Sequence, residues 1–138
     1  MTSVQCNFMN YIRSCFLVRY HFNDDVSTWF AALFALESNF GNSALAKTHC
    51  NYCSMKLPRV RISVATNFGL EEVWASYKDL FDCILDFVLW LQYQKPLRKE
   101  LEKPELLYSY FRKYCPEKDY IDKINRIYSQ FKNCYYER

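Results

Sequence analysis

Glu37 is the residue best placed for acid–base chemistry, because it closes a long apolar stretch of the chain. No side chain from Trp29 to Leu36 is polar, and a helix that is apolar on every face is typical of the middle of a domain. A carboxylate at its end faces apolar neighbours and the negative end of the helix dipole, which both raise its pKa. Such a group can act as a general acid near neutral pH. The alternative is a glutamate turned to solvent or paired with an arginine.

A second constellation is the pair Cys50 and Cys53, which has CxxC spacing and stands beside His49. A structural zinc site needs four ligands, and the only other histidine is His21, with no second CxxC in the chain. A thioredoxin-like redox site requires a βαβ context, which the pattern does not show. We therefore expect no metal and no cofactor.

Three aspartates, Asp79, Asp82 and Asp86, recur on a predicted helix. They can be interpreted as a metal site, but a solvated stripe on an amphipathic helix is the more ordinary arrangement. The sequence shows no Ser/His/Asp pattern, no glycine-rich phosphate loop and no basic tract suited to nucleic acid. A glutamate in an aromatic-rich domain suits cleavage of a glycosidic bond, where a carboxylic acid protonates the leaving oxygen.

Composition indicates one compact domain over residues 1–138, mostly helical, since aromatics reach 19% and only 2 glycines are present. The net charge of +3 is uneven: residues 1–68 hold 6 Lys/Arg against 3 Asp/Glu, whereas residues 69–138 hold 12 of each. The basic excess therefore lies around Lys56, Arg59 and Arg61.

The seven cysteines form an odd set without small-scaffold spacing, so we expect mostly free thiols and synthesis in a reducing cytoplasm. The apolar start of the chain is interrupted by Arg13 and Arg19 and lacks a small-residue cleavage site. We predict neither a signal peptide nor a membrane span.

Apolar spacing and capping residues predict a first helix over 4–22, ended by Asn23 and two aspartates that cap the central helix. Gly41 suits a positive φ just after the central helix, and a short helix should cover Ala44–His49. Later helices are predicted from Lys78 to Leu91, after the charged segment 98–105, and from Pro116 onward.

Residues Arg59–Thr66 alternate cleanly and predict the one clear strand, with Val60, Ile62 and Val64 on one face. Residues 67–69 have turn chemistry, and residues 72–77 can return as the second strand of a small hairpin. A two-stranded hairpin is not stable alone, so it should lean on the helices.

Four segments carry motifs in order along the chain. Residues 37–46 follow E-S-x-(F/W)-G-x-S-x-L-A, and residues 49–56 resemble x-N-N-x-F-G-M-K. Residues 77–90 resemble Y-x-S-x-x-D-S-x-x-D-Y-x-x-W, and residues 114–124 resemble Y-A-x-D-P-x-Y-x-x-K-I. Together they resemble the bacterial glucosaminidase domains, family 73 of the glycoside hydrolases.

The resemblance implies a mainly α (α+β) fold, a lysozyme-like helical domain with one small β-hairpin, acting on peptidoglycan as a β-N-acetylglucosaminidase. Glu37 falls on the family's catalytic acid, and Tyr114 on a tyrosine associated with its active site, the alternative for Tyr114 being an ordinary packed tyrosine. The matching positions imply substrate binding by Asn51, Met55, Lys56, Arg59, Arg61 and Tyr77.

Two departures alter the wall beside Glu37: Cys50 stands where the family usually has asparagine, and Ser54 where it has glycine. Many members carry a second carboxylate on the hairpin, for which this chain offers Glu71 and Glu72. If neither reaches Glu37, an acetamido group of the substrate acts as internal nucleophile, or the domain is degenerate.

Two functions follow. The first is a peptidoglycan hydrolase that works at the bacterial cell wall, with Glu37 as general acid and basic residues beside an anionic glycopeptide strand. The second is a catalytically degenerate lysozyme-like module that binds glycan or serves as a structural part of an assembly such as a phage particle or the cell envelope. The missing signal peptide and the altered segment 50–54 support the second. Neither involves nucleic acid or a membrane span.

Overall fold

Helices dominate the computed structural model, which describes residues 1–66 and 73–136. The mainly α class is therefore confirmed, and it is consistent with the lysozyme-like domain that the resemblance implies. A π-helical turn, Cys15–Arg19, continues the first helix. The α-helices of the described residues are α1 Ser3–Ser14, α2 Asp24–Ser38, α3 Ala44–His49, α4 Leu80–Tyr93, α5 Arg98–Leu101, α6 Pro104–Tyr114 and α7 Tyr120–Tyr136.

Helix α2 is the central helix that its sequence predicts, since every side chain from Trp29 to Ala35 is buried. It packs against α1 and α7 along its length. Phe87 of α4 closes a further side, with its ring 5.2 Å from Phe30 and 5.3 Å from Phe34 between centroids. On α7, Tyr128 stacks on Trp29 with ring centroids 3.9 Å apart.

Both ends of α2 follow from local sequence. The Asn23 side chain accepts a hydrogen bond from the Val26 backbone N–H at 2.7 Å, which satisfies an otherwise unpaired donor of the first turn. At the other end Asn39 is left-handed and Gly41 has φ +83°, a conformation that glycine adopts without strain. The chain thus turns sharply just beyond Glu37 and enters α3.

The two ends of the described chain are tied together. A disulfide joins Cys6 of α1 to Cys134 of α7, and five cysteines remain as free thiols. The expectation of mostly free thiols therefore holds for five of the seven cysteines and is wrong for this pair. Within residues 1–66 and 73–136, no helix is both long enough and apolar enough to cross a membrane.

The predicted strand over Arg59–Thr66 is wrong. Residues 59–65 are irregular, and Val60 and Ile62, which alternation placed on one face of the strand, are 79% and 82% exposed. The β-structure that the described residues contain is two isolated antiparallel bridges, Lys56 with Trp74 and Thr66 with Ser76. Residues 73–76 thus lie between segment 55–57 and Thr66, while the turn predicted at 67–69 falls outside the described residues.

A buried ion pair explains why the strand does not form. The Arg61 guanidinium donates to Asp86 Oδ1 at 2.8 Å and to Oδ2 at 3.1 Å, and Ser63 Oγ donates to Oδ1 at 2.7 Å. Tyr77 also donates its hydroxyl to this carboxylate. Arg61 and Ser63 therefore turn inward together, which leaves Val60 and Ile62 in solvent, while Val64 packs partly buried against the core.

Asp86 also corrects the expected solvated stripe of aspartates, because it is fully buried. Burial alone would raise the pKa of Asp86, but the hydrogen bonds from Arg61, Tyr77 and Ser63 outweigh it and lower the pKa. Asp79 instead caps α4 by accepting from the Asp82 backbone N–H, and Asp82 lies 4.0 Å from Lys78.

We expect Asp86→Asn to lower the free energy of unfolding by about 3 kcal/mol, since removing one partner leaves a buried, unpaired Arg61. Asp82→Asn is the matched control on the same helix and should lose less than about 1 kcal/mol, because its ion pair is exposed. Chemical denaturation at neutral pH measures both. The pKa of Asp86 is lowered in the folded state. The difference in free energy of unfolding between wild type and Asp86→Asn should therefore narrow as the pH falls toward and below that folded pKa. Equal losses in the two variants would contradict the bracing role of Asp86.

Candidate active site

An open cavity of about 670 Å³ lies against the carboxyl end of α2. Five parts of the chain contribute to it: the last turn of α2, the segment that follows α3, Trp74, Trp90 of α4, and the region where α6 passes into α7. Among the described residues its lining is Leu36, Glu37, Ser54, Met55, Lys56, Leu57, Pro58, Arg61, Trp74, Trp90, Tyr114, Cys115, Pro116, Glu117, Tyr120 and Lys123. The sequence separation of these parts means that only the tertiary fold assembles the site.

Glu37 lies in the last turn of α2 with its side chain partly buried at this cavity. Burial raises the pKa of Glu37; the nearby Tyr120 hydroxyl and Ser54 side chain act to lower it, and the charge of Glu117 adds to the rise. The raised pKa predicted from the sequence is therefore confirmed, with desolvation as its main cause. A carboxyl of this kind holds its proton to higher pH than an exposed glutamate, as a general acid requires.

Tyr120, the first residue of α7, is the least expected neighbour of Glu37. It is 98% buried, being only 2% exposed, and its hydroxyl makes no hydrogen bond of regular geometry with any described residue. It nevertheless lies close enough to Glu37 to lower the pKa of that carboxyl. Burial and then the Glu37 charge raise the pKa of Tyr120, so its hydroxyl stays a neutral donor. The Glu37 carboxyl is therefore the acceptor on which this buried hydroxyl acts.

Tyr114, predicted to lie in the active site, lines the same cavity from the end of α6. Its hydroxyl donates to the backbone carbonyl of Cys53, and its ring meets Trp90 edge to face with centroids 5.0 Å apart. Burial raises the pKa of Tyr114, with Cys53, Tyr120 and Glu37 adding to the rise. The hydroxyl of Tyr114 thus holds the cavity wall, while that of Tyr120 acts on Glu37.

Of the predicted substrate-binding residues, the structure brings Met55, Lys56 and Arg61 to the cavity. Lys56 is exposed there, and its amine can meet an anionic ligand. The Arg61 side chain is only 6% exposed and pairs with Asp86, so its charge is already balanced within the protein. Arg61 therefore braces the wall on which Lys56 stands.

Arg59, Tyr77 and Asn51 were also predicted to bind substrate, but they are not among the described residues that line the cavity. Arg59 is exposed on the irregular segment, and Tyr77 is buried with its hydroxyl on Asp86. Asn51 is fully buried: its Nδ2 donates to the carbonyls of Met55 at 2.9 Å and Ala75 at 2.8 Å, and its Oδ1 accepts from the Met55 N–H at 3.0 Å. Asn51 thus shapes the wall from behind.

Ser54 shows what the altered segment does. Its φ is +53°, in the left-handed region where glycine is unstrained, which explains the glycine of the resembling domains. In return, Ser54 Oγ donates to the backbone carbonyl of Glu37 at 3.2 Å. The serine therefore adds a tie between the wall and the carboxylate-bearing turn.

Sequence reasoning missed five charged or aromatic residues that the fold places in the cavity: Trp74, Trp90, Glu117, Tyr120 and Lys123. Lys123 Nζ lies 3.9 Å from Glu117 and 3.2 Å from Asp119. Trp90 and the segment 114–124 belong to the motifs that carry the family resemblance, so these motifs were the part of the sequence from which their place in the cavity could have been predicted. Glu71 and Glu72, predicted as the second carboxylate, lie outside the described residues.

Comparison with known proteins gives one finding. The family model described as mannosyl-glycoprotein endo-beta-N-acetylglucosaminidase matches residues 20–133, a span that includes the whole cavity lining. Neither the curated proteins nor the solved structures yield a match.

We expect Tyr120→Phe to raise the pKa of Glu37, because the variant removes a donor that favours the ionised carboxylate. NMR titration of the glutamate side-chain carboxyl carbon, assigned with Glu37→Gln, measures the pKa. Stability should change by less than about 1 kcal/mol, since the lost hydroxyl makes no hydrogen bond of regular geometry. Tyr110→Phe is the control, because its hydroxyl bonds Glu100 at 3.4 Å outside the cavity. An unchanged Glu37 pKa in Tyr120→Phe would show that the hydroxyl does not act on the carboxyl.

Proposed function

The chain belongs to the glucosaminidase family of glycoside hydrolases, and from that premise we propose that it cleaves the glycan strand of bacterial peptidoglycan as a β-N-acetylglucosaminidase, with Glu37 as general acid. Family membership supports a glycosidase related to the cell wall. The bond cleaved and the role of Glu37 are the parts that we propose.

The observation that carries the proposal is the position of Glu37. Its carboxyl is partly buried at the edge of a 670 Å³ cavity, at the end of an apolar helix, and its pKa is raised. Burial keeps the proton on the carboxyl until a basic atom reaches it. The cavity is large enough to admit sugar rings at that point, since ligand pockets commonly measure 300–1,000 Å³.

In the proposed reaction, protonated Glu37 donates its proton to the glycosidic oxygen while the bond from the sugar C1 to that oxygen breaks. The leaving sugar departs as a free hydroxyl, and positive charge develops on the N-acetylglucosamine ring as an oxocarbenium-like transition state. Glu37 becomes an anion at the same moment. Tyr120, as a neutral donor beside it, then gains a charged acceptor and stabilises that anion.

The rest of the lining suits an anionic glycan. Trp74 is 44% exposed and Trp90 is partly exposed, so each offers part of an indole ring against which a sugar can pack. Lys56 supplies positive charge to the lining, whereas the charge of Lys123 is shared with Glu117 and Asp119. The placement of Lys56 fits a strand whose peptide stems carry carboxylates.

Three residues are candidates for a second carboxylate: Glu117, Glu71 and Glu72. Glu117 lines the cavity and raises the pKa of Glu37 through its charge, so the two carboxyls are electrostatically coupled. Glu71 and Glu72 remain proposals from the family resemblance. If none of them serves, the acetamido oxygen of the substrate is the internal nucleophile.

We expect Glu37→Gln to abolish release of new reducing ends from peptidoglycan, a loss of at least about 100-fold, because general acid catalysis contributes 10²–10⁴. Mass spectrometry of the digest identifies the sugar at the new reducing end. Glu105→Gln, on the exposed surface of α6, is the control and should keep wild-type rates. Glycan binding without cleavage in both wild type and Glu37→Gln would instead support the degenerate binding module.

The same variant tests the pKa of Glu37 through stability. Because the pKa of Glu37 is higher in the folded state than in the unfolded state, the native protein binds more protons at pH values between these two pKa values. Stability therefore falls as the pH rises from the unfolded pKa to the folded pKa. Glu37→Gln removes this penalty, so the variant should melt at a higher temperature than wild type at neutral pH. The difference should vanish below the unfolded pKa of glutamate. A variant that is less stable at every pH would contradict a raised folded pKa.

A panel of Glu71→Gln, Glu72→Gln and Glu117→Gln assigns the second carboxylate. The variant that loses activity by at least about 100-fold, with its melting temperature unchanged, identifies the group. Near-wild-type activity in all three, together with failure to cleave a substrate lacking the N-acetyl group, would point to the acetamido oxygen. Glu117→Gln should in addition lower the pKa of Glu37, because the charge that raises it is gone.

A further inference from the structure

Two buried thiols meet behind the cavity wall. Cys53 stands in the segment after α3, and Cys83 lies in the first half of α4. Both are fully buried, and their Sγ atoms are 3.6 Å apart. The two residues are separated by 30 positions in sequence, so the fold alone brings the thiols together.

Cys50, the CxxC partner of Cys53, does not take part in this pair. Its thiol lies 3.9 Å from the carbonyl of Lys78, and its backbone has φ +51° at the end of α3. The CxxC spacing therefore does not mark a dithiol in this protein. The dithiol is formed by Cys53 with Cys83.

We propose that Cys53 and Cys83 form a redox modification site, which takes an exchangeable disulfide compound as oxidant and converts to a disulfide that staples the cavity wall to α4. The Sγ atoms need to approach by about 1.5 Å to reach the S–S bond length of about 2.05 Å. No other described cysteine is paired with either thiol in the structure.

The chemistry balances with one oxidant molecule. The thiolate of one cysteine attacks a sulfur of the compound R–S–S–R, and one R–SH leaves after taking up a proton. The second cysteine, as thiolate, attacks the mixed disulfide and releases the other R–SH. The two protein thiols are oxidised to one disulfide, and the oxidant disulfide is reduced to two thiols.

The new bond would act on the wall that carries the site. The carbonyl of Cys53 accepts from Tyr114, and the next residue, Ser54, is tied to the backbone of Glu37. Asn51 fixes the same turn from behind. A bond from Cys53 therefore joins the wall of the Glu37 cavity covalently to α4, which already meets this wall through the Arg61–Asp86 ion pair and a 3.3 Å contact from the Tyr52 N–H to Cys83 Sγ.

Burial sets the rate of the exchange. Burial, followed by the contact with Cys53, raises the pKa of Cys83, so little thiolate exists while the fold is closed. Exchange then proceeds through local opening of segment 50–55 and is slow. The inference rests on the proposed function only in one respect, which is that work at the cell wall would carry the protein from a reducing to an oxidising environment.

Disulfide mapping of the wild-type protein tests the proposal without any variant. The protein is incubated for hours at pH 8.5 with oxidised glutathione, then quenched with N-ethylmaleimide, with and without mild urea to promote opening. Cleavage after Tyr52 by chymotrypsin separates Cys50 from Cys53, so the peptide partner of Cys83 is unambiguous. We expect a mass loss of two hydrogen atoms, a Cys53–Cys83 peptide and full reversal by dithiothreitol. Alkylated Cys53 and Cys83 in both conditions, or a bond from Cys53 to Cys50, would overturn the proposal.

Variants add a physical readout. Oxidation should raise the melting temperature of wild type and of Cys50→Ala by roughly 10 °C, since the bond closes a 30-residue loop. Cys83→Ala should show no such rise. Equal rises in Cys83→Ala and wild type would refute the assignment. If wild type cleaves peptidoglycan, its reduced and oxidised forms should cleave it at different rates. If neither form cleaves peptidoglycan, the proposed function fails, but disulfide mapping still decides whether Cys53 and Cys83 form a bond.

Discussion

The burial of α2 on every side is the constraint on which the rest of the structure depends. Its residues from Trp29 to Ala35 expose almost nothing, so α1, α4 and α7 must surround it. The helix can end only where the chain meets solvent again, and Glu37 stands at that boundary. Desolvation of its carboxyl is therefore a direct consequence of core packing, and the raised pKa of Glu37 requires no special device.

The wall opposite Glu37 depends on buried polar groups in place of a sheet. Asn51 replaces the hydrogen bonds of a regular strand by bonding both Met55 and Ala75, and Asp86 pulls Arg61 inward to the helix α4. Such networks are rigid when all members are paired and destabilising when one is lost. The irregular segment is thus held in one conformation although it has almost no strand pairing.

Locally unfavourable features gather around this cavity. Tyr120 buries a hydroxyl without a hydrogen bond of regular geometry, Ser54 occupies a left-handed conformation and Glu37 is a partly desolvated acid. Each lowers stability by itself, and natural proteins keep such features where function requires them. Their coincidence at one cavity is what distinguishes it from an incidental surface depression, and the same wall contains the Cys53–Cys83 pair.

The sequence by itself determined the central helix with its Asn23 cap and Gly41 turn, the short helix Ala44–His49, the family and Glu37 as the leading site residue. These features depend on local periodicity, capping and motif order, which act over a few residues. Only the tertiary structure decided that Arg59–Thr66 is not a strand, that Asp86 is buried, and that Tyr120 and Glu117 reach Glu37. The reason is that the ion pair from Arg61 to Asp86 of α4 overrides alternation, and that Tyr120 of α7 reaches the Glu37 cavity through packing across 83 positions. Such long-range contacts leave no local pattern in the chain.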